Sequence, residues 1–152
     1  MSTIAGISVA KPSRIRAATL GDADAIFGLL SQLEKGFVPE RASFDAAYID
    51  AVQDAGDHIL LVAADESDRV IGYTLTTLAR LFHTNGLSAQ LQELVVDVGS
   101  RGRRVGSQLV TAVERECLAR GARQLTVTSR RGASFYEGHD YRSTADYLKK
   151  TL

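Results

Sequence analysis

Asp97-Val98-Gly99-Ser100-Arg101-Gly102-Arg103-Arg104-Val105-Gly106-Ser107 follows an apolar run, Leu94-Val95-Val96, and leads into a helical pattern over residues 105–120. The succession is that of a strand, a tight glycine-bearing turn and the first turn of a helix. N–H groups that open a helix have no intrahelical acceptor, and the helix dipole puts its positive end there. A helix start of this kind accepts phosphate. Three arginines, Arg101, Arg103 and Arg104, crowd the same turn. The stretch therefore reads as an anion site at the joint of a β-α unit.

Downstream, Val105, Leu109, Val113 and Cys117 recur every fourth residue and form an apolar stripe, with Ala112 and Leu118 beside it. Glu114, Arg115 and Arg120 fall on the wet side, and Gly121 suits the position just past the helix. Residues 124–129 alternate Leu125 and Val127 against threonines, a strand with one buried face. Strand, helix and strand in this order predict a right-handed βαβ crossover.

Upstream, residues 58–64 are nearly all apolar, which predicts a strand covered on both faces. Turn residues 65–68 connect it to a partner strand over 69–78, extending toward 82. His83-Thr84-Asn85-Gly86 turns the chain into a third strand over 87–98, and short loops favour antiparallel pairing. Earlier still, 15–19 is a strand, and a helix runs from Asp22 to about Leu33 with Ile26, Leu29, Leu30 and Leu33 inward. Gly36 ends it, 37–43 is a loop containing Pro39, and 44–52 is a second helix presenting Phe44, Ala47, Tyr48 and Val52. A short helix over 133–137 and a last strand over 145–149 complete the chain, and residues 1–13 form a loose lead-in. The order βααβββαβαβ predicts one α+β domain over residues 1–152, a mixed, mostly antiparallel sheet flanked by helices.

Bulk composition narrows the function classes. A chain of 152 residues, 45% hydrophobic, holds one core. Eighteen basic and eighteen acidic residues balance, so no extended basic face for nucleic acid is expected. One cysteine excludes an internal disulfide and a cysteine-based zinc site, and it suits a reducing, cytoplasmic setting. Cys117 itself lies in the apolar stripe and reads as core. His58, His83 and His139 are too scattered for a metal site. No apolar leader and no stretch near 18 apolar residues is present, so neither export nor a membrane partner is expected.

Two common phosphate loops are excluded by spacing. A P-loop needs lysine and then Ser or Thr after its second glycine, whereas Gly106 is followed by Ser107-Gln108. Gly99, Gly102 and Gly106 do not match the G-x-G-x-x-G dinucleotide fingerprint. The segment from Arg101 to Gly106, after a strand carrying Glu93-Leu94-Val95-Val96, instead resembles the acyl-CoA pyrophosphate loop of the GCN5-related N-acetyltransferase (GNAT) superfamily, [Q/R]-x-x-G-x-[G/A]. Arg101 matches the first position and Gly106 the last. Arg104 stands where glycine is usual; the glucosamine-6-phosphate N-acetyltransferase branch also has a basic residue there. Phe135-Tyr136-Glu137-Gly138-His139-Asp140-Tyr141 resembles the superfamily's F-Y-x-x-x-G-[FY], with Asp140 in place of glycine. Ile15-Arg16-Ala17-Ala18-Thr19 through Asp22-Ala23 resembles its opening, I-R-x-A-T-x-x-D-A.

The resemblance implies an acetyl-CoA-dependent N-acetyltransferase that moves acetyl directly to an amine. Backbone N–H groups of Arg101, Gly102, Arg103, Arg104, Val105, Gly106 and Ser107 would hold the pyrophosphate. Leu94, Val95 and Val96 would pair with the pantetheine amides, and the N–H of Val95 or Val96 would polarise the thioester carbonyl. Tyr136 matches the acid that protonates the departing thiolate; the bland reading is an aromatic packed under a short helix. Glu93 falls where several members carry the base; it otherwise reads as an exposed strand residue or an arginine's partner, with a water chain as base. Tyr73 and His83 either line the acceptor pocket or are structural. Arg130 and Arg131 either reach the cofactor's 3′-phosphate or belong to a solvated loop.

A small-molecule or amino-acid-like amine is the expected acceptor, from a pocket built by residues near 27–50 and 75–86. Phe27, Phe37, Phe44, Tyr48 and Phe82 make that region partly apolar. Acetylation of a protein lysine or N-terminus is the alternative within the enzyme class. A CoA-binding domain without chemistry is the alternative outside it, kept open by Arg104 and Asp140. Homodimers are frequent in the superfamily.

Overall fold

Tyr73, buried at 1% exposure, lies mid-sheet with helices on either side, in a computed structural model. The structure describes residues 13–130 and 132–152, together with the backbone of Thr3–Ile4 and Ile7–Ser8. Those two short stretches, β1 and β2, pair antiparallel; the other residues of the lead-in before Ser13 lie outside the described residues. The main sheet comprises β3 (Arg14–Ala17), β4 (His58–Ala64), β5 (Val70–Leu81), β6 (Gly86–Val96) and β7 (Gln124–Val127) in that spatial order. Pairing is antiparallel from β3 to β6 and parallel between β6 and β7. The helices are α1 (Ala23–Leu30), α2 (Arg41–Gln53), α3 (Val105–Ala119) and α4 (Ser134–Glu137).

Alternate residues of a strand point to opposite faces, and the two faces are covered by different helices. On one, Val105, Leu109, Val113 and Cys117 of α3 pack on Ile59, Leu61, Ala63, Leu78, Ala89 and Leu91. On the other, Ile26 and Leu29 of α1 and Tyr48 of α2 pack on Val62, Tyr73 and Val95. The expectation that 58–64 is covered on both faces and that Cys117 is core is met. Burial pushes the Cys117 thiol up to about 11. Gly72 explains how α3 comes so close: a Cβ there would sit 2.9 Å from the Val95 carbonyl oxygen and 3.2 Å from Leu109 Cδ1.

The opening motif has a mechanical basis. Arg16 donates to both oxygens of the buried Asp22 at 2.7 and 2.9 Å, and the Thr19 N–H donates to Asp22 Oδ2 at 2.8 Å. The Arg16 hydrogen bonds hold the Asp22 carboxyl below its usual range, against the opposing cost of burial. One carboxylate thereby ties the end of β3 to the start of α1.

Several boundaries differ from the sequence-based expectation. α1 stops at Leu30 and not near Leu33, because Gln32 and Leu33 make tighter bonds to Leu29 and Leu30 and the chain unwinds toward Gly36. α2 begins at Arg41, inside the expected 37–43 loop; Arg41 pairs with Asp45 one turn on and with Asp24 of α1, and lies 5.0 Å over the Phe27 ring. β6 ends at Val96, where Val98–Ser100 tighten into a 3-10 turn. β7 stops at Val127. The last strand expected over 145–149 does not form. Tyr147 and Leu148 are exposed there, with no apolar layer to lie on, and strand preference without such packing is weak.

Candidate active site

Sequence alternation along β6 slips by one residue, and the structure shows why. Leu87, Ala89 and Leu91 pack toward α3, as do Leu94 and Val96, whereas Val95 faces α1 and α2. The parity changes across Gln92-Glu93. Leu75 of β5 pairs with Glu93 and Thr76 with Leu91, so Gln92 is the extra residue of a β-bulge. Bulges bend their strand and interrupt pairing. Beyond the Leu91–Val127 pair, β7 pairs with no further residue of β6. The two strands part, and residues 94–96 face the gap.

A cavity of about 430 Å³ occupies this cleft. Leu94, Val95, Val96, Arg101, Gly102, Arg104, Val105, Gly106 and Ser107 all line it, as does Tyr136 from the opposite side. Arg103 is exposed and is not part of the wall. At one end lies the start of α3. The first intrahelical bond there is Gln108 N–H to Arg104 oxygen at 3.0 Å, so the preceding N–H groups have no helical acceptor.

Arg104 takes φ 62° and ψ 17°, the left-handed conformation that glycine adopts at no steric cost. Asp140, the second departure from a usual glycine, takes φ 69°. The backbone thus holds the turn that the motif requires while paying local strain for the side chains. Arg104 is exposed and borders the cavity, leaving the cradle open. Gly106 meets the Phe135 ring: a Cβ at this glycine would lie 3.4 Å from Phe135 Cζ. The glycine loop and the Phe135-Tyr136 segment are therefore one packed unit.

The rest of that segment is anchored to α3. Ser107 Oγ lies 3.0 Å from His139 Nε2, and Tyr141 OH donates to Glu114 Oε2 at 2.8 Å. Tyr136 packs edge-on against Phe135 and Tyr141. Burial raises the Tyr136 phenol above its ordinary value, and the charge of Arg130 pulls it partly back. Tyr136 is therefore a protonated group facing the cleft at neutral pH.

Glu93 is on the α1/α2 side of the split. Tyr73 OH donates to Glu93 Oε1 at 2.7 Å, and burial raises the phenol strongly, with the Glu93 charge adding to it. A neutral hydroxyl thus fixes one carboxylate oxygen. Tyr73 is buried and does not line an acceptor pocket; it holds Glu93. His83 is exposed in the Phe82–Thr84 turn at the hairpin tip. Arg130 donates to the Gln92 carbonyl oxygen at 3.2 Å, and Arg131 lies outside the described residues.

The bulge at Gln92, the Tyr73–Glu93 bond and the Ser107–His139 contact escape a reading by motif. The slip in β6 alternation is a visible signal for the first. The other two join residues 20 and 32 positions apart and leave no local trace.

The parted strands, the helix start with its free N–H groups and the Tyr136 phenol line one cleft. Known proteins share this fold. The family model described as the acetyltransferase (GNAT) domain matches residues 56–143. The aminoalkylphosphonate N-acetyltransferase of Salmonella typhimurium is 32% identical over 144 residues, covering 91% of this chain and 90% of that protein. The crystal structure of glucosamine-6-phosphate N-acetyltransferase from Arabidopsis thaliana superposes with a TM-score of 0.80 at 20% identity, covering 93% of this chain and 99% of that one. An aminoglycoside N-acetyltransferase in complex with CoA gives a TM-score of 0.74 at 18% identity, over 95% and 99% of the two chains. The chain belongs to the GNAT superfamily and is an N-acetyltransferase that takes its acyl group from acetyl-CoA. Among the described residues, no helix is long and apolar enough to cross a membrane.

Proposed function

We propose that the whole chain acts as one cytoplasmic domain that moves acetyl from acetyl-CoA directly onto the primary amine of a small-molecule acceptor. The observation that carries this reading is the parting of β6 from β7 beyond Leu91 and Val127, with Tyr136 on one side and the α3 start at the end. Residues 94–96 offer strand N–H and C=O groups to the pantetheine amides, and the N–H groups from Arg101 to Ser107 receive the pyrophosphate. The similarity to an aminoalkylphosphonate N-acetyltransferase supports a small acceptor.

Glu93 takes a proton from the acceptor ammonium, directly or through water, while Tyr73 keeps its other oxygen occupied. The freed amine nitrogen attacks the thioester carbonyl carbon, forming the C–N bond. The oxyanion that develops is met by the Val95 or Val96 N–H, a donor whose loss costs about 3 kcal/mol in barrier. Collapse breaks the C–S bond. Tyr136 gives its proton to the departing sulfur, a transfer about 2 kcal/mol uphill for a phenol near 10 and a thiol near 8.5, and the phenolate is then restored by a proton from solvent.

Thermal unfolding with acetyl-CoA, followed by CoA-thiol release across an amine panel, tests this. Saturation at about 100 times Kd adds about 2.7 kcal/mol of stability. No stabilisation at millimolar acetyl-CoA, or stabilisation without thiol release for any amine, overturns the proposal.

A further inference from the structure

We propose that the acceptor amine carries an anionic group, a phosphonate or a carboxylate, and that Arg130 receives it with Lys35 beside it. This rests on the acetyl-transfer reading above. Arg130 lies three residues past the end of β7 at Val127 and is anchored to the Gln92 carbonyl at the bulge, one residue from Glu93. Arg101 is anchored to the Val96 carbonyl at 3.2 Å. Four residues of strand separate the two anchor points, roughly 13 Å at the usual rise. The Arg130 anchor thus lies beside Glu93 and the Arg101 anchor beside the glycine loop, although both side chains border the same two cavities.

A second cavity of about 620 Å³ adjoins the cleft, sharing Leu33, Arg101 and Arg130 as walls and adding Lys35, Glu34 and Val98. Among the described residues, neither Lys35 nor Arg130 has a carboxylate within ion-pair distance, a state they share with Arg101 and Arg104 of the cleft. Glu34 lines the same space without pairing either cation. Arg130 and Tyr136 line the same cleft, and the Arg130 charge opposes the rise that burial gives the Tyr136 phenol.

The chemistry follows from charge balance. An acceptor ammonium that approached Glu93 alone would meet two uncompensated cations. An amine with an anion a few bonds away meets Glu93 with one end and a guanidinium with the other. Guanidinium has five donors in a planar fork matched to phosphonate or carboxylate oxygens, and one is used on Gln92. Lys35 adds a point charge.

The test is steady-state CoA-thiol release with matched amines of one chain length: 2-aminoethylphosphonate, β-alanine and propylamine. The anionic acceptors should exceed propylamine by about tenfold or more in kcat/KM, and Arg130→Gln should remove about tenfold for them, chiefly through KM. Lys35→Gln should lower the same ratio more weakly. Preference between phosphonate and carboxylate assigns the anion. Equal or better use of propylamine, or an Arg130→Gln variant that raises KM for acetyl-CoA and leaves the acceptor ratio alone, overturns the inference while acetyl transfer stands. Loss of acetyl-CoA binding in the unaltered enzyme would instead overturn the acetyl-transfer reading, and the inference with it.

Discussion

Residues 86–91 and 93–96 belong to one strand, β6, on either side of Gln92. In the first stretch both edges are paired, Ser88 through Leu91 bonding to β5 on one side and Gln124 through Val127 on the other. In the second the β5 ladder continues, Glu93 through Val96 against Leu75 through Gly72, while no β7 residue pairs with the other edge. Each stretch carries apolar side chains, Leu87, Ala89 and Leu91 in the first and Leu94, Val95 and Val96 in the second. What differs is backbone: one stretch is paired on both edges, the other has, among the described residues, one edge that no strand pairs. An unpaired strand edge is a liability unless something covers it. Here the cover is a cleft walled by α3, α4 and the glycine loop, which suits a substrate that carries amides of its own.

The sharpest way to break that contrast is at Tyr136, which lines the cleft beside the open stretch. Tyr136→Phe should lower kcat by about a hundredfold or more with the melting temperature kept, measured by thiol release and thermal unfolding. Glu93→Gln should follow at about a hundredfold in kcat/KM. If the rate is unmoved, a water chain is the base.

A different perturbation probes how the open stretch is supported. Gly72→Ala drives a methyl toward the Val95 carbonyl and Leu109, and should cost about 1–3 kcal/mol by denaturant unfolding. The Asp22 lock lies outside the cleft and should affect stability alone. Asp22→Asn should cost about 2 kcal/mol at neutral pH. The folded-state carboxyl titrates below its unfolded value, so the carboxylate's contribution is present above about pH 4 and lost as pH falls through the folded value. The gap between the two proteins should therefore narrow below about pH 4 and stay constant above pH 5.

The smallest effect concerns the strained turn. Arg104→Gly removes a non-glycine left-handed residue and should stabilise the fold by about 1 kcal/mol. Asp140→Gly should gain less, since aspartate tolerates that conformation. A destabilised Arg104→Gly would mean that the side chain, and not the backbone, holds the turn.

Legibility followed the range of the forces involved. The α3 stripe, the two-sided burial of β4 and the antiparallel hairpins come from periodicity and turn chemistry within a dozen residues, and they were readable. The terminus of α1 was not, because Gln32 turns away to bond Asp97 and Val98, 65 and 66 residues on. The strand expected over 145–149 failed for the converse reason: its local pattern was adequate, but no packing surface meets it.

The sequence by itself determined the membership of the fold family, the loop from Arg101 to Ser107 and the candidate roles of Glu93 and Tyr136, because each is written in adjacent residues whose types and spacing are chemically constrained. Only the tertiary structure decided that Tyr73 bonds Glu93, that Phe135 closes on Gly106, and that Arg130 bonds the Gln92 carbonyl at the bulge. Those relations depend on strand register and on one extra residue at Gln92. Register is fixed by burial across the whole sheet and not by any local stretch of chain.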